Sequence, residues 1–171
     1  QEILRLGSGS TGHNGVVRCV DFSPDGKLAL SGGLVGSTIT NPGELFLWDL
    51  QTGLKVRAFE GHVNGVIAAH YTPDGRQVLS SAGDMELLIE GNKVDGQTIN
   101  NDLILWNTDS GEILKRFDDL NHDIDNFTIS PDGSQALLAS YYDNVISILD
   151  LGTGGVVGEL NSHQNAVRST I

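Results

Sequence analysis

The sequence predicts an all-β protein in which four-stranded antiparallel sheets follow one another along the chain. Three observations predict this class. A histidine marker, a Ser/Thr-Pro-Asp-Gly turn and a strand ending in Trp-Asp, Trp-Asn or Leu-Asp recur in that order, which is typical of a repeat architecture. Apolar residues alternate or run in short stretches and never recur at helical spacing. The 22 glycines lie between these stretches, where turns are expected.

The first complete unit shows how each strand is predicted. Residues 16–22 are mostly apolar and include three β-branched valines. Ser23-Pro-Asp-Gly26 ends this strand as a turn, because proline presets φ and glycine accepts the positive φ that follows. The remaining strands of the unit are predicted at 28–30, 44–48 and 54–59.

Two further units repeat this pattern. The second has predicted strands at 66–71, 77–81, 103–106 and 113–117, and the third has them at 124–129, 135–140, 145–149 and 156–160. Residues 1–6 match the last strand of a preceding unit, since Glu2 to Arg5 resemble Glu112 to Lys115. Residues 166–171 match the first strand of a following unit.

These markers resemble the WD40 repeat, whose units form the blades of a β-propeller. The resemblance rests on Gly12-His13, Gly61-His62, the Ser/Thr-Pro-Asp-Gly turns and Leu47-Trp48-Asp49. It implies an incomplete ring, in which this chain supplies about three blades of a seven-bladed propeller. The implied divisions are blade one at 7–60, blade two at 61–118 and blade three at 119–160, with 1–6 and 161–171 belonging to neighbouring blades. The remaining blades would come from the rest of a longer chain or from copies of this one.

The resemblance also implies a hydrogen-bond network in each blade. In the family, the histidine bonds a Ser/Thr of the second strand and an aspartate of the turn before the third strand, and the network ends on a tryptophan. The positions that it assigns here are His13, Ser31, Trp48, His62, Ser81, Trp106, His122, Ser140, Asp143 and His163, with Ser80 as the alternative to Ser81.

No blade keeps the full set in this comparison. Asn41-Pro42 stands at the aspartate position of blade one, and Asn100 lies near it in blade two. Leu149 replaces the tryptophan of blade three. We therefore expect incomplete networks and blades that depend on apolar packing for their rigidity.

Blades one and two are longer than a typical unit of about 40–45 residues. The extra residues are predicted between the second and third strands, at 32–43 and 84–102. Insertions on one face commonly mark a binding face, although neutral drift also lengthens surface loops. This end is acidic, and the predicted partner-binding residues are Asp84, Glu86, Glu90, Asp95, Asp102, Asp119 and Asp123. This negative charge would attract a basic protein partner, or it would only keep the protein in solution.

The sequence argues against several other functions. A net charge of −12 with scattered cations disfavours nucleic acid. No catalytic or phosphate-binding motif occurs, so neither an enzyme nor a cofactor is expected. The repeated histidines occupy one slot of successive units and cannot share a metal ion. The calcium-like stretch 119–125 has Ile124 where the sharp-turn glycine is needed. Cys19 is expected to be a buried structural thiol, not a reactive one.

We therefore expect a non-catalytic protein-interaction scaffold. The alternative is an accessory or sensor propeller of a larger enzyme or signalling protein whose catalytic domain lies outside this segment. No apolar run is long enough to span a membrane, and no signal peptide is visible, so a cytoplasmic location is expected.

Overall fold

The computed structural model describes residues 5–7, 12–35, 42–83, 102–118, 120, 124–140, 144–161 and 163. Their regular structure consists of the strands β1 (Val17–Phe22), β2 (Leu28–Gly33), β3 (Glu44–Asp49), β4 (Lys55–Ala58), β5 (Val66–Tyr71), β6 (Gln77–Ala82), β7 (Asp102–Asn107), β8 (Ile113–Arg116), β9 (Asn126–Ile129), β10 (Gln135–Ala139), β11 (Ile146–Asp150) and β12 (Val156–Leu160). Within these residues there is no helix, and hence none able to cross a membrane.

The strands form three antiparallel meanders, which we call sheet one (β1–β4), sheet two (β5–β8) and sheet three (β9–β12). The predicted Ser/Thr-Pro-Asp-Gly turns join the first and second strands of each sheet. Their glycines have φ values of +70° at Gly26, +70° at Gly75 and +73° at Gly133. Side chains rarely adopt this backbone conformation, which explains why glycine recurs at the end of each turn.

Sheets one and two pack face to face through apolar side chains. Alternation along β2 and β3 brings Leu30, Leu45 and Leu47 to one face of sheet one. Sheet two meets them with Ala69, Tyr71, Val78, Ile104 and Trp106. All of these residues are buried, so apolar surface removed from water stabilises the junction.

Sheets two and three form a second apolar junction. Leu79, Leu103 and Leu105 of sheet two pack with a layer from sheet three that consists of Phe127, Ala136, Leu138 and Leu149. The first strands of the sheets lie beside one another, with β1 against β5 and β5 against β9. Successive four-stranded sheets whose first strands lie side by side in this way are arranged as propeller blades.

The face of sheet one that points away from sheet two has no neighbouring sheet among the described residues. Val20 and Phe22 are 71% and 69% exposed, whereas Ala69 and Tyr71, at the same register of sheet two, are 0% and 7% exposed. The difference arises because sheet one covers the second pair. The prediction of an all-β protein built from four-stranded blades is confirmed, and the described residues do not close a ring.

Candidate functional site

Sheet one holds a hydrogen-bond network that runs from its core to the end bearing the first insertion. The Trp48 Nε1–H donates to Ser31 Oγ at 2.7 Å, and Ser31 Oγ lies 2.6 Å from His13 Nε2. His13 Nδ1 lies 3.0 Å from Glu44 Oε2. The His13 ring also stacks on Phe46, with 4.5 Å between ring centroids. Each polar atom of the series therefore has a partner in a largely buried setting.

The donor and acceptor properties of these groups determine which atoms carry the protons. The indole N–H only donates, so Ser31 Oγ accepts from Trp48. The Glu44 carboxylate accepts, so the proton of a neutral His13 ring lies on Nδ1. The Ser31 hydroxyl then donates to the bare Nε2. The resulting chain of donors satisfies all four side chains, which buried polar groups require.

Sheet two repeats this network at matching positions. The Trp106 Nε1–H donates to Ser80 Oγ at 2.7 Å, and Ser80 Oγ lies 2.6 Å from His62 Nε2. His62 Nδ1 lies 3.1 Å from Asp102 Oδ2. His62, Ser80 and Trp106 are buried, so the network is part of the interior of the protein.

The carboxylates at the ends of the two networks have different second partners. Asn14 donates to Glu44 through its backbone N–H and its side-chain amide, each at 3.0 Å. Asp102 instead accepts from Arg116 Nη1 at 3.1 and 3.2 Å, and Arg116 Nη2 donates to the Gly61 carbonyl. A neutral amide therefore covers the carboxylate in sheet one, and a guanidinium covers it in sheet two.

Asp102 is held in its ionised form. Burial disfavours the charge, but the hydrogen bond and electrostatic effect of His62 and the charge and hydrogen bond of Arg116 outweigh this, and together they lower the pKa of Asp102 below its ordinary value. Its side chain is only 13% exposed. Asp102 was predicted among the partner-binding acidic residues, but its oxygens are occupied within the protein.

Sheet three has apolar side chains at the matching positions. Leu138 occupies the register of Ser31 and Ser80, and Leu149 occupies that of Trp48 and Trp106. Both leucines are buried in the junction with sheet two. Ser140 is buried but follows the end of β10, and His163 is exposed. His122 and Asp143 lie outside the described residues.

Comparison with known proteins agrees with this repeated geometry. The family model described as WD domain, G-beta repeat matches residues 6–41 and 53–89. The two matched segments are WD40 repeats. The second matched segment begins at the end of sheet one and runs through β6, so the family match and the structure assign the same periodicity.

Relatives carry the same repeat. WD repeat-containing protein 1 of Gallus gallus is 39% identical over 75 residues, which cover 42% of this chain and 11% of that protein. The small ribosomal subunit protein RACK1 of Schizosaccharomyces pombe is 29% identical over 150 residues, which cover 86% of this chain and 41% of that protein. Guanine nucleotide-binding protein subunit beta-1 of Caenorhabditis briggsae is 30% identical over 79 residues. The matches to WD repeat-containing protein 1 thus span about a tenth of its length.

Two of the WD40 networks are complete, and the expectation that they would lack an acid was wrong. The acid is the first residue of the third strand, Glu44 or Asp102, not a residue of the preceding loop near Asn41 or Asn100. Strand pairing explains this, since Glu44 lies opposite Gly33 and Asp102 opposite Ala82 whatever the length of the loop between them.

Ser80, not Ser81, is the serine of the second WD40 network. Successive side chains of a strand point to opposite faces, and Ser80 shares its face with Trp106. The Ser81 hydroxyl is buried on the other face, where it has no hydrogen-bond partner among the described residues. A sequence signal existed, because Ser80 follows Gly75 at the same distance as Ser31 follows Gly26.

Asp102 is the one predicted partner-binding residue that the structure describes. Asp84, Glu86, Glu90, Asp95, Asp119 and Asp123 lie outside the described residues, as do 36–41 and 84–101 of the two insertions. The structure does describe where the insertions leave and rejoin the sheets. Both leave from the end of a second strand, at Gly33 and Ala82, and return at the network carboxylates Glu44 and Asp102.

The described residues offer few side chains that could bind a metal ion or act as a nucleophile. Within them, no group of three or more His, Cys, Asp or Glu side chains could hold a metal ion. Burial raises the pKa of the Cys19 thiol to about 12, so it stays protonated near neutrality and is a poor nucleophile. His70 lies 3.3 Å from Asp21 of sheet one and meets the Phe127 ring of sheet three edge-on, as a residue between sheets.

Proposed function

We propose that this chain is a non-catalytic protein-binding scaffold that takes its partner at the end of the sheets bearing the insertions 32–43 and 84–102. WD40 repeats indicate a protein-interaction scaffold in general. The observation that carries the proposal is the anchoring of both insertions. Each rejoins its sheet at the carboxylate of a buried network, Glu44 in sheet one and Asp102 in sheet two.

Anchored loop bases suit binding. A loop presented from a rigid frame loses less conformational freedom when a partner orders it, so more of the contact energy appears as affinity. The points where the two insertions leave and rejoin the sheets are at the same end of neighbouring sheets, so we expect one partner to contact both. Loops lengthened by drift alone would need no such shared placement.

The names of the relatives support an assembly role. RACK1 is named as a protein of the small ribosomal subunit, and the G-protein beta-1 relative is named as a subunit of a guanine nucleotide-binding protein. Both are therefore members of larger complexes. We extend this role, without the identity of those complexes, to the present chain.

We further propose that the partner offers a basic surface. The chain has 22 acidic residues against 10 Lys and Arg, and the second insertion contains Asp84, Glu86, Glu90 and Asp95. A negatively charged rim attracts cationic surfaces and accelerates their capture at low ionic strength. Capture should therefore weaken as salt rises.

A matched pair of variants tests this function. Glu86→Gln with Glu90→Gln removes two charges from the second insertion, and Asp109→Asn with Glu112→Gln removes two from the β7–β8 turn at the other end of sheet two. Proteins captured from a cell lysate at low salt are quantified by mass spectrometry for each variant. We expect a severalfold loss of basic partners with the first pair only. Equal capture by wild type and both variants would refute the assignment of this face.

A further inference from the structure

The outer strands of sheets one and two each send a cation to the next sheet. Arg57 of β4 donates through Nη1 to the Ser110 carbonyl at 2.7 Å and through Nη2 to the Asp109 carbonyl. Lys115 of β8 donates through Nζ to the Gly152 carbonyl at 2.8 Å. All three acceptors lie in the turn between the third and fourth strands of the following sheet.

These two contacts occupy the same place in the repeat. Arg57 pairs with Leu47 across the β3–β4 ladder, and Lys115 pairs with Leu105 across the β7–β8 ladder. Leu47 and Leu105 are themselves at one register of their sheets. The cation therefore leaves each outer strand at the same point and reaches the same turn of the next sheet.

The receiving turns are shaped for the cation. Each ends in a glycine with positive φ, +76° at Gly111 and +84° at Gly154. A Cβ built on Gly111 would lie 2.7 Å from Arg57 Cδ, and one built on Gly154 would lie 2.7 Å from Lys115 Cε and Nζ. No side chain could stand at these positions without displacing the cation. The glycines thus serve both the turn and the approach of the neighbouring outer strand.

The series breaks at sheet three. Gly158 pairs with Ile148 at the register of Arg57 and Lys115, and it has no side chain to extend. At the other end of the chain, sheet one has an equivalent receiving turn that ends in Gly53, with φ +72°. The Gly53 carbonyl accepts a 3.4 Å hydrogen bond from the Gly7 N–H. Arg5, two residues earlier, aligns with Lys115 in the repeat.

We propose that these cations form a one-way latch, in which the outer strand of each unit is fastened to the β3–β4-type turn of the next. Arg5, Arg57 and Lys115 are its successive donors, and Gly158 ends the series. These contacts hold the outer strands of sheets one and two to the next sheet, in addition to the apolar junctions between the sheets. Sheet three extends no donor, so β12 is the least restrained of the outer strands.

Amide hydrogen exchange on the whole chain, read by mass spectrometry, tests the latch. Arg57→Met and Lys115→Met keep an apolar stem and remove the donor. In Arg57→Met we expect exchange to accelerate about fivefold or more in β4 and in the turn 107–111. In Lys115→Met the same change is expected in β8 and the turn 150–154. In the wild-type protein β12 should exchange faster than β4 and β8.

Controls separate a latch from a general surface effect. Arg76→Met removes a cation whose Nε lies 3.9 Å from Asp74 and whose side chain is 85% exposed, and it should change none of these segments. Arg57→Lys should keep the wild-type exchange, because Lys115 serves the same role. Unchanged exchange in Arg57→Met and Lys115→Met, or a uniform rise over all segments, would overturn the latch. Unchanged exchange of the turn 49–53 in Arg5→Met would remove Arg5 from the series.

Discussion

Sheets two and three fill equivalent buried positions with different kinds of side chain. At one pair of register positions, sheet two buries Ser80 and Trp106, joined by hydrogen bonds to His62 and Asp102. Sheet three buries Leu138 and Leu149 at those positions. Both arrangements fill a junction with the preceding sheet, so the polar network is not required for the fold of a single sheet in this protein.

The comparison indicates that the serine and the tryptophan of the network are either both present or both replaced. Replacing both members of a buried polar pair by apolar groups costs little, whereas removing one member leaves the other unsatisfied. Sheet three has changed both the serine and the tryptophan positions. Sheets one and two have kept both, with Ser31 and Trp48 in sheet one. We therefore expect single changes in the network to be far more damaging than its complete replacement.

The largest effect is expected from Trp106→Ala. This change empties a fully buried site and removes the donor to Ser80, so the free energy of unfolding should fall by about 3–5 kcal/mol. Urea denaturation followed by circular dichroism measures it. A loss below about 1 kcal/mol would mean that sheet two can collapse around the site, and the network would then have little importance for stability.

The next effect is expected from Ser80→Ala. The change leaves the Trp106 N–H and His62 Nε2 without their shared partner, and both are buried. The free energy of unfolding should fall by about 2–3 kcal/mol, near the upper end of the cost of unsatisfied buried groups. The same denaturation experiment applies. Ser31→Ala in sheet one is the parallel variant, and a loss in only one of the two would break the equivalence of the networks.

Asp102→Asn should cost less and should depend on pH. The amide oxygen can still accept from His62, but the charge opposite Arg116 is lost, so we expect a loss of about 1–2 kcal/mol at neutral pH. Folding lowers the pKa of Asp102, so its contribution to stability is present above the unfolded value of about 3.9. It disappears as the pH falls through the lower pKa of the folded protein.

Unfolding of wild type and Asp102→Asn between neutral pH and about pH 2 checks this direction. The two stabilities should converge in acid. A difference that stays constant across that range would show that the ionised carboxylate is not the source of the loss.

The smallest effect is expected from Ser81→Ala, the matched neighbour of Ser80→Ala. The Ser81 hydroxyl is buried and has no hydrogen-bond partner among the described residues, so its removal should be neutral within about 0.5 kcal/mol or slightly stabilising. A loss as large as that of Ser80→Ala, measured by the same denaturation, would place Ser81 in the network after all.

Local patterns were enough to predict the twelve strands of the described residues. The strands predicted at 1–6 and 166–171 lie mostly or wholly outside those residues. The turn Ser23-Pro-Asp-Gly26 and the alternation through residues 44–48 depend on φ preferences and on the two-residue period of a strand. The structure accordingly places β1 at Val17–Phe22 and β3 at Glu44–Asp49, close to the predicted ranges. The second strand was predicted too short, because Ser31 to Gly33 carry little apolar signal but pair on both sides.

The candidate site was only partly predictable. His13 and Trp48 follow from the repeat markers, but the acid does not, because the loops before the third strands differ in length. Glu44 reaches its position because the pairing of β2 with β3 sets it opposite Gly33. The latch residues Arg57 and Lys115 gave no sequence signal, since their acceptors are backbone carbonyls of another sheet.

The sequence by itself determined the class of fold, the order of the strands and the repeated markers, because these rest on neighbouring residues and on short periods. Only the tertiary structure decided which acid completes each network, which of two serines lies inside it, and which cations fasten one sheet to the next. These partners are far apart in the chain, and the register between strands and the packing between sheets bring them together.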